Sequence, residues 1–104
     1  MKLLIITSVQ EYEKHIPALF KKAGIKAFSS SNIKGHNTTD EDTLTGNWFS
    51  SADDDYESNS SLYFTFTSAE LIDNMLEEVA EFNVKIEGQN PMHAIVLGIE
   101  KFIN

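Results

Sequence analysis

The chain contains no cysteine and no arginine. The first absence removes disulfides, thiolate nucleophiles, zinc fingers and soft-metal thiolate sites together, and leaves the redox compartment unconstrained. The second removes every bidentate guanidinium clamp, so a phosphate site would have to use lysine or backbone amides. Long apolar runs are missing as well: none approaches the roughly 20 residues that a membrane span requires. The opening Lys2-Leu3-Leu4-Ile5-Ile6 is too short for the apolar region of a signal peptide and has no small-residue cleavage site after it. A cytoplasmic location without membrane insertion is the resulting expectation. No grouping of serine, histidine and carboxylate, no metal triad and no phosphate loop marks a catalytic centre, so the chain reads as a non-enzyme.

Positive charge is absent from the middle of the chain. From Gly35 through Val84 there are twelve acidic residues and no lysine, whereas the remainder carries all eight lysines against four acids, which gives the net charge of -8. Nucleic acid binding depends on neutralising phosphates with cations, so this distribution argues against DNA or RNA as a partner. Basic protein surfaces or divalent cations suit it better. At 104 residues the length fits a single domain, 1–104, with one core.

What is present divides into two flanks and an insert. Lys2 to Thr7 is a continuous apolar run, as expected of a strand at the centre of a sheet. Ser8 and Glu11 have capping-box spacing and predict a helix to about Ala23, with Tyr12, Ile16, Leu19, Phe20 and Ala23 on one face. Pro17 either kinks that helix or marks the first turn of a shorter one; the kink is the expectation. Gly24 stands at the helix stop, after Lys21 and Lys22. Ile25 to Lys34 then reads as a second strand, unusually polar because of its serines.

Beyond the insert, Leu62, Phe64 and Phe66 alternate with Tyr63, Thr65 and Thr67, the clearest strand in the chain. Thr67 and Glu70 repeat the capping-box spacing before a second helix to about Phe82, striped by Leu71, Ile72, Met75, Leu76 and Val79. Asn83 to Pro91 is turn-rich, with a short extended piece at Val84 to Glu87 as one alternative. Met92 to Ile103 predicts a fourth strand through Ala94, Ile95, Val96, Leu97 and Ile99. The order β-α-β, long loop, β-α-β predicts an α+β ferredoxin-like βαββαβ sandwich with both helices on one sheet face. Phe28, Phe64 or Tyr63 would then need cover on the other face, and self-association is the simplest cover.

The insert, His36 to Ser60, is too polar to be core. It carries Asp40, Glu41, Asp42, Asp53, Asp54, Asp55 and Glu57, yet also the adjacent Trp48 and Phe49. A stretch of this length and composition inside a compact domain is either functional or disordered until something binds it. Trp48 and Phe49 either anchor a partner or fold back on the body. Asp53-Asp54-Asp55-Tyr56-Glu57 imitates the start of a calcium loop, but Ser58 stands where the glycine belongs and no glutamate falls at the twelfth position, so it is not an EF-hand. A run of charge is more often simply solvated, and any metal site stays unknown. His15 reads as an exposed helix residue, and His93 as a strand residue or a contact between subunits.

Gly24-Ile25-Lys26-Ala27-Phe28, followed by Asn32-Ile33-Lys34-Gly35-His36 at the mouth of the insert, resembles the PII family of signalling proteins, in which an aliphatic-Lys-Gly-aromatic stretch leads into the T-loop. Leu62-Tyr63-Phe64-Thr65-Phe66 and Met92-His93-Ala94-Ile95-Val96 run where that family's returning and closing strands lie. The CutA family shares the fold and the trimeric assembly. The resemblance implies a homotrimeric regulatory protein with the insert as a T-loop between strands 2 and 3. It also implies a small ligand at clefts between subunits beside Lys34, Gly35, His36 and Asn37, and a protein target, such as a membrane transporter, met by the loop through Trp48 and Phe49. A CutA-like divalent-metal or metal-tolerance protein is the alternative. Where PII proteins hold nucleotide phosphates with a glycine-rich loop, a lysine and arginines, this chain has Lys85-Ile86-Glu87-Gly88-Gln89-Asn90 and no arginine. Weak or absent binding of nucleoside triphosphate is therefore expected, and the cofactor is unknown.

Overall fold

A computed structural model describes residues 1–36 and 57–104 of the chain. Their elements are β1 (Lys2–Val9), a 3-10 turn (Gln10–Tyr12), α1 (Ile16–Ala23), β2 (Ser29–His36), β3 (Glu57–Thr67), α2 (Ala69–Lys85) and β4 (His93–Gly98). Among the described residues the strands form one sheet in the order β2-β3-β1-β4, with every neighbouring pair antiparallel. This is the ferredoxin-like arrangement that the element order predicts, with 37–56 inserted between β2 and β3.

The first flank departs from expectation in a way the pairing explains. β1 does not stop at Thr7, because the ladder to β3 continues through Ser8 opposite Ser61 and Val9 opposite Ser60. Ser8 is therefore a strand residue and not a helix cap; its Oγ donates to the Val9 carbonyl at 3.0 Å. The chain then turns through Gln10–Tyr12, and α1 begins only at Ile16, with Pro17 in its first turn. There is no kink at Pro17, since a missing N–H in the first turn leaves no intrahelical bond unmade. Gly24 ends α1 in the left-handed region at φ 90°. Its N–H reaches the Lys21 carbonyl at 3.1 Å, and the Ile25 N–H reaches that of Phe20 at 2.9 Å. A Cβ at Gly24 would come within 3.3 Å of Leu71 Cδ2, so the glycine also lets α1 approach α2.

β2 starts at Ser29 rather than Ile25. Ile25 is buried, and Phe28 stacks on Phe20 with ring centroids 4.2 Å apart and planes 10° from parallel. Both belong to the helix-side core before the strand begins. The Thr65 hydroxyl donates to the Ala27 carbonyl at 2.7 Å and holds this approach in place. As a sheet edge largely outside the core, β2 can be as polar as its serines make it.

β3 reaches back to Glu57, so the first rungs of its ladder lie within what the composition assigns to the insert. Tyr63 and Thr65 face the helices and are buried. The expectation that Tyr63 and Phe28 need a second copy to cover them is therefore corrected, whereas Phe64 does stand on the uncovered face. Thr67 is the last residue of β3, paired with Lys2, and Ser68 caps α2 instead, its Oγ accepting from the Leu71 N–H at 3.4 Å. α2 runs on to Lys85 and removes the extended alternative at Val84 to Glu87. Asn83 fixes the entry to β4, accepting from the Met92 N–H at 2.8 Å and donating to the Met92 carbonyl at 3.0 Å. β4 ends at Gly98, five residues short of Ile103.

The core lies between sheet and helices. Leu4 and Ile6 of β1, Tyr63 of β3, Ile16, Phe20 and Ala23 of α1, and Ile72, Met75 and Val79 of α2 are buried together with Ile25 and Met92. On the opposite face Phe66, Ile95 and Leu97 are exposed.

Candidate functional site

The site predicted from sequence sits on a two-stranded arm. β1 gives out at Val9 opposite Ser60, while β2 and β3 continue past it as Lys34 opposite Asn59, Gly35 opposite Ser58 and His36 opposite Glu57. This ribbon leads directly into the insert. Alternation along β2 puts Asn32, Lys34 and His36 on the helix side and Ile33 and Gly35 on the other. Lys34 and His36 are exposed and Gly35 is buried. Gly35 is a ladder residue of β2, paired with Ser58. Asn37, Trp48 and Phe49 lie outside the described residues, as does most of the acidic run.

At the base of the arm the structure gathers a polar group that the sequence reading missed. Ser8, Ser61 and Asn32 occupy one cross-strand row on the helix side, since Ser61 pairs with both of the others. Ser8 and Ser61 are buried at 4% and 2% exposure, and the Ser61 hydroxyl donates to Asn32 Oδ1 at 3.5 Å. Tyr63 follows Ser61 on the same face. It is 3% exposed, and its hydroxyl has no hydrogen-bond partner among the described residues. Burial raises the Tyr63 pKa; the adjacent Ser61 hydroxyl opposes the rise without reaching bonding geometry, and the Glu13 carboxylate adds to it. Two serines inside strands otherwise committed to a core were the available signal.

The loop after α2, where a phosphate cradle would be sought, is taken up by the helix end. The N–H groups of Ile86, Glu87, Gly88 and Gln89 donate to the carbonyls of Phe82, Val84, Asn83 and Ile86 at 3.0 to 3.1 Å. Glu87 at φ 57° takes the left-handed position that usually falls to glycine, and Gly88 and Asn90 are left-handed as well. The Tyr12 hydroxyl donates to the Gln89 carbonyl at 2.9 Å and ties the 3-10 turn to this loop. Phe82 packs edge-on against Tyr12, with the His15 ring 5.4 Å from it; His15 is otherwise exposed, as expected. His93 is a half-buried residue of β4, and burial lowers its pKa.

Among the described residues no three His, Asp or Glu side chains come together as a metal ion would need, and no helix is long and apolar enough to cross a membrane. No family model matches the chain, and no curated protein does either. Solved structures do. A PII-like signalling protein from Thermus thermophilus superposes with a TM-score of 0.61 at 19% identity, over 91% of this chain and 82% of its own. A DUF3240 family protein from Shewanella baltica gives a TM-score of 0.66 at 14% identity, over 99% of this chain and 93% of its own. At such identities the likeness concerns the fold, and the fold of this chain is PII-like.

Proposed function

We propose that this chain is a non-enzymatic, cytoplasmic PII-like regulatory protein that assembles as a homotrimer through its open sheet face. It senses a small ligand in a cleft beside Lys34, Gly35, His36 and Asn37, and presents its insert, with Trp48 and Phe49, to a protein target such as a transporter. The observation that carries this reading is the ribbon of β2 and β3, which runs past β1 from an apolar-faced sheet straight into the insert. An arm so placed couples events at the sheet to a segment that a partner can reach. The fold shared with a protein described as PII-like and signalling supports it.

Gel filtration with light scattering tests the assembly. A trimer is expected, and a monodisperse monomer at micromolar concentration overturns it. Calorimetry tests the ligand. Nucleoside triphosphate should bind weakly or not at all, because the loop amides after α2 are already bonded and no arginine is present. Submicromolar ATP affinity would refute that expectation, and stoichiometric binding of a divalent ion would favour the metal alternative. Trp48 is the only tryptophan, so a blue shift of emission on adding ligand or target reports its engagement, and emission indifferent to both removes it from the recognition surface.

A further inference from the structure

The apolar pattern of the last strand outlasts its ladder. Gly98 pairs with Lys2, the first residue of β1, so the tail beyond Gly98 has no strand to lie against. Ile99 stays half-buried, but Phe102 and Ile103 are 67% and 95% exposed. Next to them, Leu3, Leu97, Gly98, Ile99, Glu100 and Lys101 line a hollow of about 610 Å³, within the size range of clefts that receive apolar groups. Phe102 and Ile103 take no part in its lining. The same short stretch therefore presents an apolar knob that its own fold leaves in water and a hollow whose apolar walls that knob does not fill.

The hollow adjoins the open sheet face, since Leu3 and Leu97 share a row with Phe66 on that side. The described strands place no Asp, Glu or Lys there; Lys2, Lys34 and Glu57 all fall on the helix side. In a chain of net charge -8, copies repel wherever acids are brought opposite one another. This face receives a second copy without opposing like charges, and at the hollow itself Glu100 and Lys101 are of opposite sign.

We propose that Phe102 and Ile103 of one copy seat in the hollow between Leu3, Leu97 and Ile99 of the next, so that the tail fastens neighbouring subunits together. Knob and hollow are different surfaces, which makes the contact heterologous: each copy gives its tail to one neighbour and receives the tail of another. Such a contact closes into a ring when the rotation between copies allows it, and a three-membered ring is the assembly proposed above. The inference rests on that assembly and adds what locks it. Each tail buries side chains that otherwise stand in water, a gain made only between copies.

The test combines light scattering with cysteine cross-linking, which the chain suits because it has no thiol of its own. Phe102→Ser with Ile103→Ser should weaken association at least tenfold, with the far-ultraviolet dichroism unchanged because both side chains are exposed. For the cross-link, two differently tagged full-length chains are co-expressed, one carrying Gly98→Cys and the other Asn104→Cys. Both substitutions leave the knob intact, and a Cβ at Gly98 meets nothing within 4 Å. Mild oxidation should join the two tags in one disulfide-linked species. A trimer as strong in the double serine variant as in the wild type overturns the inference and leaves the open-face assembly standing. So does a disulfide that forms within a single chain carrying both cysteines but never between the tagged chains, since the tail then folds back on its own hollow. A wild type that is monomeric at micromolar concentration overturns the assembly and the fastening tail together.

Discussion

The two faces of one sheet follow different rules. On the helix side, Leu4, Ile6, Phe20, Ile72 and Met75 are sealed to 1% exposure or less, and aromatic rings stack at contact distance. On the other side the residues are equally apolar, yet Phe66, Ile95 and Leu97 keep 54%, 40% and 46% of their surface in water. Composition does not separate the faces; cover does. A patch of this kind on a small domain marks an interaction surface, so one face holds the monomer together and the other is where an assembly would gain its energy.

The sharpest way to break this contrast is to cut the same residue type on each side. Phe20→Ala should cost about 3 to 5 kcal/mol in urea unfolding, the usual consequence of emptying a sealed aromatic site. Phe66→Ala should change the stability of the monomer by only about 0.5 kcal/mol. Equal losses would mean that the open face is not open. The next largest effect falls on assembly. Leu97→Glu places a charge on the exposed apolar face and should convert the proposed trimer to monomer in light scattering, with the far-ultraviolet dichroism unchanged; a trimer that survives it is built on another surface.

A smaller effect sharpens the covered side. Glu87 occupies a left-handed helix-terminal position at φ 57°. Glycine carries no Cβ penalty there, so Glu87→Gly should stabilise the protein by about 0.5 to 1 kcal/mol, the gain net of the added chain entropy. A destabilisation would show that the Glu87 side chain makes a compensating contact. The smallest effect concerns His93, in the row with Thr7 and Leu62 on the open side. Burial lowers its pKa from the ordinary 6.5, so the unfolded chain binds that proton more tightly than the native one. Its contribution to stability is whole above pH 6.5 and is lost as the pH falls through that value toward the lower native pKa. Urea midpoints for wild type and His93→Gln should therefore diverge between about pH 7.5 and about 5.5, with the wild type losing more; parallel curves would place the acid sensitivity elsewhere.

The periodicity of the chain was enough to read four strands, two helices and their order, because apolar spacing of two or three to four residues follows directly from which side of an element meets the core. Gly24 as a helix stop, the alternation of Leu62 to Thr67 and the stripe of α2 are all local facts, and all are found. The misread positions share a cause. Ser8 has the spacing of a cap and Pro17 sits inside a helical pattern, but whether the backbone at Val9 continues a ladder depends on Ser60, about fifty residues away, being in register beside it. Thr67 and Ser68 are equally good caps by chemistry, and only the reach of β3 to Lys2 decides between them. Tyr63 on the sequence is one polar-sided strand residue among others. That its hydroxyl is buried without a partner among the described residues follows from the packing of the helices over this face of the sheet, which no local pattern encodes. The sequence by itself therefore determined which elements form and which of their sides are apolar, since those depend on neighbours a few residues apart. The tertiary structure alone decided which apolar face is covered and which polar groups are trapped, since both depend on pairings between residues far apart in the chain.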